Sequence, residues 1–486
     1  MAAPSISTYR PAGSLTLATA LAPYGGTWDR RLAGHLLRRA GFGGTPDDIS
    51  RLTAMRSREA VSSLVDFNAK AVVVPPMDAR PRPGFAGRMR VGLSQDQKDA
   101  LRKQFNQTKH EQELSLREWW LNQMLTTTSP LQEKMTLFLS GHFTTAAVKQ
   151  IAAIDLAAQN DLFRRNALGN FRSLTLAVSR DPAMLHYLDN TVSTKDHPNE
   201  NYARELMELF TLGIGNYTET DVRESARAFT GWQAPGPNYA FEFNGRAHDN
   251  GMKTFLGKTG NFDGKDIVDI IFQQPAASKY LATKLLDFFL YNDPEPELVD
   301  AFAAVIRTNN FELKPSLATL FNSNVFFSDR AYRALVKSPV EFVIGSYQLF
   351  GITQVDRTSV NTLGRMGQIL FYPPNVKGWD GGATWLTSQT VLTRENFASA
   401  LAGNPKMTSA LFAPNGTTIS DVNGAAKRLI DSILLGDVSP ASRSQLVSYL
   451  SGSDVAERGM LSGENYDERI RGAAYLTMAM PAFQLN

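Results

Sequence analysis

Residues 196–232 read DHPNENYARELMELFTLGIGNYTETDVRESARAFTGW, and the order of polar and apolar residues in this stretch predicts two consecutive α-helices. On a helix with about 100° per residue, the charged and amide side chains of residues 199–210 occupy one sector and the apolar side chains the other. Gly213 marks the end of this first helix. Thr218 to Asp221 form a variant capping box at the start of the second helix, with Asp where Glu is usual.

A period of about 3.6 residues continues through nearly every segment after residue 28, which indicates helices along most of the chain. Alternation typical of strands is sparse, and Tyr239–Phe243 is the best short candidate. The predicted fold class is therefore all-α, a multi-helix globular array with at most a minor β element.

Composition and periodicity divide the chain into a tail, a core and a C-terminal segment. We interpret residues 1–27 as the tail, residues 28–400 as the helical core, and residues 401–486 as a C-terminal helical segment packed on that core. Within the core, residues 69–94 are rich in Pro, Gly and Arg. Proline removes amide donors and glycine favours turns, so this stretch is predicted to be a long irregular loop.

The overall composition excludes several classes of protein. Of 486 residues, 43% are hydrophobic and 20% are charged, which is typical of a globular protein. The 50 basic and 47 acidic residues nearly balance, and no long run of Lys or Arg predicts binding to nucleic acid. The chain has no cysteine, which excludes disulfides, thiolate nucleophiles and Cys-ligated metals. No apolar stretch approaches the roughly 18 residues of a membrane span.

The first residues bear on localisation. Residues 1–27 are low in charge and rich in Ala, Ser, Thr and Pro, and the short apolar run Leu15–Ala22 lacks the charged region that opens a signal peptide. We interpret this stretch as the mature N-terminus of an exported protein whose signal peptide has been removed, with Met1 added for expression. The prediction is a periplasmic or secreted protein, and the alternative is a cytoplasmic protein with a loose tail.

Common catalytic and cofactor motifs are incomplete in this sequence. His110-Glu111 lacks the second histidine of a zinc-binding H-E-x-x-H motif. Gly257-Lys258-Thr259 lacks a glycine in the register of a phosphate-binding loop, and Gly213-Ile214-Gly215 lacks the third glycine of a dinucleotide fingerprint. No cofactor is predicted.

The polar face of residues 199–210 supplies the candidate catalytic residues. Glu200 and Glu208 each stand four residues from Arg204, so that the arginine can bridge two carboxylates, and Glu205 shares their sector. Crowded carboxylates can separate their pKa values, which allows one to act as an acid and another as a base. His197 stands beside them. The alternative is a solvated helix face with ordinary ion pairs.

The same stretch supplies candidate ligands for a substrate or a metal ion. Arg204 and Arg227 would hold anionic or polar groups of a substrate, and Trp232 would lie beside them. A divalent cation, Ca²⁺ or Mg²⁺, on Asp196, Glu200 and neighbouring groups is the metal alternative.

Two further tryptophans stand close together in PPNVKGWDGGATW, residues 373–385. The glycines let the backbone turn tightly around Trp379 and Trp385. Exposed indoles beside polar loops form platforms for sugar rings, so both are candidate substrate-binding residues. The alternative is that both fill the seam between helical layers.

The motifs resemble the bacterial "domain of unknown function 1800" family, whose hallmark is an N-E-N-Y-A-R-E-L-x-E-L-x-T-L-G core followed by Y-T-x-x-D-V and A-R-A-x-T-G-W. The resemblance spans roughly residues 28–400, and His142, predicted to bind substrate, lies in one of its stretches. One departure is Leu139-Ser140-Gly141, where members often have W-H-N. The similar stretches are Asn199–Leu209, Thr211–Gly213, Tyr217–Asp221, Ala226–Trp232, His35–Gly43, Glu133–Lys134, His142–Phe143, His248–Asp249, Gly251, Lys253–Thr254, Gly257, Lys337–Glu341, Met366–Trp379, Gly381–Gly382 and Trp385.

The resemblance implies an exported bacterial protein, often encoded beside a companion of the "domain of unknown function 1501" type that is similar to alkaline phosphatases and sulfatases. It implies no particular reaction. One hypothesis is an enzyme that cleaves a polysaccharide or cell-surface glycan, as a hydrolase or a lyase, with the carboxylates of residues 196–208. The other is a non-catalytic helical scaffold or binding protein that acts with the companion. A concave pocket that unites these carboxylates with His197 and Trp232 would favour the enzyme.

Overall fold

Helices form most of the structure, a computed structural model that describes residues 17–67, 93–148, 151–235, 240–404, 421–455 and 466–486. This confirms the predicted all-α fold. The predicted loop of residues 69–94 lies outside the described residues except for its last two positions, and so does most of the predicted tail of residues 1–27.

The first half of the chain forms helices whose starts carry the capping side chains that the sequence offers. Asp29 accepts a hydrogen bond from the Leu32 amide, and Thr218 and Asp221 form the predicted capping box. The helices are α1 Leu17–Ala20, α2 Arg30–Arg39, α3 Pro46–Thr53, α4 Ser57–Val65, α5 Gln95–Thr126, α6 Pro130–His142, α7 Ala153–Arg165, α8 Phe171–Ser179, α9 Pro182–Tyr187, a short 3₁₀ turn Asn190–Val192, α10 Glu200–Glu205 continued by a π-helix Leu206–Thr211, and α11 Glu219–Ala228.

The second half is also helical, and several of its helices begin with proline at the first position, where the missing amide hydrogen costs nothing. The helices are α12 Gly264–Ile271, α13 Pro275–Phe289, α14 Pro296–Thr308, α15 Leu313–Phe321, α16 Pro339–Leu349, α17 Arg357–Arg365, a 3₁₀ turn Gly382–Leu386, α18 Ser388–Ala402, α19 Val422–Leu434, α20 Pro440–Val455, α21 Tyr466–Ala479 and a 3₁₀ turn Pro481–Gln484.

Within the described residues, β structure is limited to two antiparallel strand pairs. β1 (Trp232–Gln233) pairs with β2 (Glu242–Phe243), and β3 (Lys253–Phe255) pairs with β4 (Lys258–Gly260). The end of the predicted strand Tyr239–Phe243 is β2. A minor β element was therefore predicted correctly.

Among the described residues, two apolar clusters form the core. The larger cluster takes its residues from the helices between α1 and α15 other than α5, and the smaller one takes most of its residues from α5 and from helices α16 to α21. In the smaller cluster Trp120 of α5 and Val343 of α16 share a core with Leu429 of α19. The helices after residue 401 thus pack on earlier helices, while the boundary at residue 400 stays a prediction.

Helix α6 lies between the two clusters, and Met135 belongs to the larger cluster and Leu137 to the smaller. Its charged residues are buried and paired. Glu133 lies 2.5 Å from the Nε of Arg164, and Lys134 forms an ion pair with Glu341. The helix ends at His142, which places that residue at the mouth of the cleft described below.

Asp181 gives the fold a predicted dependence on pH. Its carboxylate caps α9 by accepting from the Met184 amide at 3.0 Å, and it accepts from Gln159 at 2.7 Å. Burial raises its pKa from 3.8 to about 7. Between these two values the folded chain keeps a proton that the unfolded chain has lost, so stability falls as pH rises through this window.

We expect the free energy of unfolding of wild type to decline more steeply between about pH 4 and pH 8 than that of Asp181→Asn, because the amide does not titrate. Denaturant unfolding of both proteins across this range measures the difference. Parallel pH profiles would contradict the prediction.

Candidate functional site

The predicted catalytic helix carries its charges on an open surface. Arg204 donates from both terminal nitrogens to the two carboxylate oxygens of Glu219 at 2.7 Å, and Glu200 lies 3.7 Å away. Arg204 therefore bridges two carboxylates, but the second is Glu219 of α11 and not Glu208 as predicted. The chain changes to a π-helix at Leu206, and the wider turn rotates Glu208 off the face of Arg204.

Glu205 and Glu208 are half-buried beside each other. Burial raises the pKa of Glu205, and the charge of Glu208 adds to the effect. Glu208 accepts a hydrogen bond from the Tyr217 hydroxyl at 2.8 Å. Neither residue lines the large cleft described below, and the predicted separation of carboxylate pKa values stays a prediction.

His197 and Trp232 differ in their exposure to solvent. Asp196 and His197 are exposed, whereas Trp232 is only 2% exposed. The Trp232 indole packs edge-on against Phe229 and Phe241, at ring separations of 5.2 and 5.3 Å. The large cleft described below contains none of Glu200, His197 and Trp232.

Arg227 links helix α11 to the loop before β3. Its guanidinium contacts Asp249 at 2.7 Å and Glu224 at 3.0 Å, and it donates to the Met252 carbonyl at 3.1 Å. These contacts fasten α11 to the segment before β3.

A metal site at Asp196 and Glu200 gains no support from the geometry. Across the described ranges, no group of three or more His, Asp or Glu side chains is arranged to hold a metal ion. That site stays a prediction.

A cleft of about 670 Å³ opens at the end of α6, and it contains three of the predicted substrate-binding residues. Trp379, Trp385 and His142 all line it. Its walls come from α6, from α13 and from the segments near residues 335–341 and 366–385. The lining residues are Leu137, Phe138, Gly141, His142, Leu209, Tyr280, Lys284, Asp287, Phe288, Asn292, Asp293, Leu335, Val336, Ser338, Glu341, Gln368, Lys377, Trp379, Asp380, Gly381, Gly382, Ala383 and Trp385.

The segment that contains Trp379 and Trp385 packs against the end of α6. Gly378 has φ +93°, and a Cβ there would lie 2.8 Å from the Gly141 carbonyl oxygen, so only glycine allows this approach. Thr144 donates to the Val376 carbonyl. Trp379 and Trp385 are half-buried, each with part of its indole open to the cleft.

His142 forms part of the wall and is uncharged at neutral pH. Burial lowers its pKa to about 4, and its Nε2 lies 2.9 Å from the Phe210 carbonyl oxygen. Because a carbonyl only accepts, we assign the hydrogen to Nε2. The ring stacks on Phe138 at 5.7 Å.

The π-helix connects the family hallmark to this cleft. Carbonyls at the end of a helix lack partners within the helix. Here the Phe210 carbonyl accepts from His142, and the Leu209 carbonyl accepts from the Tyr280 hydroxyl at 2.7 Å. The segment that was predicted to carry catalysis therefore positions two side chains of the cleft wall.

Helix α13 supplies an amine and a carboxyl that the sequence analysis did not select. Lys284 and Asp287 are one turn apart and half-buried. Burial raises the pKa of Asp287 and lowers the pKa of Lys284. The signal available in the sequence was two charges within the otherwise apolar run KLLDFF, residues 284–289.

Two polar side chains of the cleft lining, Glu341 and Gln368, have partners inside the protein. The Glu341 carboxylate forms an ion pair with Lys134 and accepts a hydrogen bond from the Ser338 amide at 2.7 Å. Lys134 also donates to the Gly41 carbonyl at 2.9 Å. Gln368 accepts from the Val340 amide at 3.1 Å. These contacts fix the positions of both side chains in the lining.

The structure is that of an all-α protein with one large described cleft, to whose lining the family-like stretches after residue 330 contribute. The chain belongs to the family described as "Protein of unknown function (DUF1800)", whose model matches residues 35–485. This confirms the resemblance and extends it beyond residue 400. Neither the curated proteins nor the solved structures contain a match. In the part of the chain that the structure describes, no helix is long and apolar enough to cross a membrane.

Proposed function

We propose that this protein binds a glycan in the cleft and cleaves it, as a hydrolase or a lyase. The observation that carries the proposal is that two half-buried indoles, Trp379 and Trp385, line the same cleft as Asp287, a carboxyl with a raised pKa. We retain the predicted enzyme class, but we assign the catalytic acid to Asp287 of α13 and not to the helix of residues 196–208.

Sugar binding rests on the lining of the cleft. An indole offers an apolar face to a sugar ring and an N–H to a hydroxyl. The exposed Asn292 adds an amide that can donate and accept. The volume of about 670 Å³ lies within the usual range for small-ligand clefts.

Catalysis rests on the protonation of Asp287. A carboxyl with a raised pKa keeps its proton closer to neutral pH and can donate it to the leaving glycosidic oxygen. Asp293 supplies a second carboxylate in the lining and raises the pKa of Asp287 by its charge. In hydrolysis this second carboxylate activates the water whose oxygen bonds to the anomeric carbon as the glycosidic bond breaks.

We further propose that the protein acts outside the cytoplasm, in the periplasm or after secretion, where cell-surface glycans lie. The absence of cysteine fits this proposal and also fits other compartments.

A second candidate function is a non-catalytic scaffold that works with a phosphatase- or sulfatase-like companion. The surface pairing of Arg204 with Glu219 and Glu200 favours it, because these residues form ordinary exposed ion pairs. Under this candidate the cleft binds a glycan without turning it over.

We expect Trp379→Ala to weaken glycan binding by at least about tenfold, because it removes one face of the platform. Titration calorimetry with oligosaccharides measures the change. Trp232→Phe is the matched control, since Trp232 is buried outside the cleft and should leave the affinity unchanged. Equal affinities of wild type and Trp379→Ala would contradict the platform.

A further inference from the structure

We propose that the cleft takes an anionic glycan, and that the Lys284 ammonium binds the acidic group of the sugar. This inference rests on the proposed function, because it specifies the substrate class of the same cleft. It follows from the distribution of charge along the cleft wall and from the contacts of Lys284.

Lys284 reaches the cleft without a hydrogen-bonding partner. Its Nζ lies 5.2 Å from the centroid of the Tyr280 ring, and within the described residues neither a hydrogen bond nor an ion pair reaches it. Asp287, one turn further along α13, acts on it through space only. A half-buried ammonium without a partner is costly, and an anion bound in the cleft would remove that cost.

Two other charged side chains of the cleft lining, Lys377 and Glu341, already have partners. Lys377 pairs with Asp380 at 3.1 Å, and Glu341 pairs with Lys134. Asp293 is exposed to solvent, which screens its charge. Lys284 is therefore a half-buried cation of the cleft wall whose ammonium forms no ion pair within the described residues.

Tyr280 holds the ammonium in position. Its hydroxyl donates to the Leu209 carbonyl at 2.7 Å, and its ring lies beneath Lys284. The contact of a cation with an aromatic face leaves the remaining N–H groups directed elsewhere. Lys284 can then donate to a carboxylate or sulfate that enters along the tryptophans.

An acidic group at Lys284 would also assist the proposed chemistry. Lys284 lowers the pKa of Asp287 through its positive charge. A bound anion cancels this effect and favours the protonated acid. An anion bound at Lys284 would thus raise the pKa of Asp287 and favour the form that can donate a proton.

The test measures binding of the full chain to matched pairs of oligosaccharides. The charged probes are oligomers of galacturonic, glucuronic and mannuronic acid and sulfated galactans, and each has an uncharged partner, methyl-esterified or desulfated. We expect wild type to bind at least one charged probe at least about tenfold more tightly than its partner. Lys284→Gln should lose this preference, and Lys284→Arg should keep most of it.

Lys279→Gln is the matched control, because Lys279 lies on the same helix and pairs with Asp300 outside the cleft. This variant should bind as wild type does. A Lys284→Gln protein that melts as wild type does and keeps the preference would overturn the inference. Binding of uncharged probes alone, lost in Trp379→Ala, would overturn it while the proposed function stands. Binding of no probe by wild type would overturn both.

Discussion

Asp287→Asn is expected to abolish turnover of a glycan that wild type cleaves, with a fall in kcat of about 10²–10⁴-fold. The amide has nearly the size of the carboxyl but holds no proton that it can donate to the leaving oxygen. Binding should persist, because the tryptophans are unchanged. Chromatography of the products measures turnover, and calorimetry measures affinity. The two measurements separate a loss of turnover from a loss of binding.

The pH profile of wild type adds a second measure of the same group. Burial raises the pKa of Asp287, so activity that depends on its proton should decline as the pH rises through this raised value. A rate limited by this acid is therefore expected to be higher on the acidic side of that pKa.

Two control variants make the result specific. Asp300→Asn changes an exposed carboxylate that pairs with Lys279 outside the cleft, and it should leave kcat unchanged. Glu208→Gln tests the sequence hypothesis, since Glu208 lies beside the cleft-lining Leu209. If Glu208→Gln abolished turnover and Asp287→Asn did not, the catalytic residues would lie on the helix of residues 196–208. Binding without turnover by wild type would favour the scaffold.

Arg164→Met is expected to lower the free energy of unfolding by about 3–5 kcal/mol, because it leaves the Glu133 carboxylate buried without its countercharge. The Glu133 and Arg164 side chains are 2% and 0% exposed. Trp120 also donates to Glu133, at 3.0 Å, but a neutral donor does not replace the lost charge. Denaturant unfolding measures the change, and the melting temperature should fall with it.

Arg204→Met is the matched control. Its guanidinium pairs with Glu219 and Glu200 on the surface, where such pairs contribute about 0–1 kcal/mol. The control should unfold nearly as wild type does. If Arg164→Met were as stable as Arg204→Met, the pairing of α6 with α7 would not stabilise the fold as we describe.

The helices themselves could be predicted from sequence, because their causes are local. The apolar period of residues 199–210 and the capping box of Thr218 and Asp221 act within one or two turns. Both appear in the structure at the predicted places. Trp379 and Trp385, which the glycines around them indicated to lie in a surface loop, line the cleft, and their role in substrate binding stays a prediction.

The candidate site depended on contacts between distant parts of the chain. Asp287 lies in an apolar helix whose sequence does not say which neighbour it faces, and Gly141 meets Gly378 across more than two hundred residues. The partner of Arg204 depended on the π-helix, whose wider turn no local period indicates.

The all-α class, many helix starts and the family could be recognised in the order of the residues, because side-chain period, capping and motif are properties of neighbouring residues. Which charges meet depended on the packing of distant helices. It paired Arg204 with Glu219, buried Trp232, and gathered His142, Lys284 and the tryptophans around one cleft. The physical reason is that burial and long-range packing set the electrostatic environment of a side chain, and neither can be read from the residues beside it.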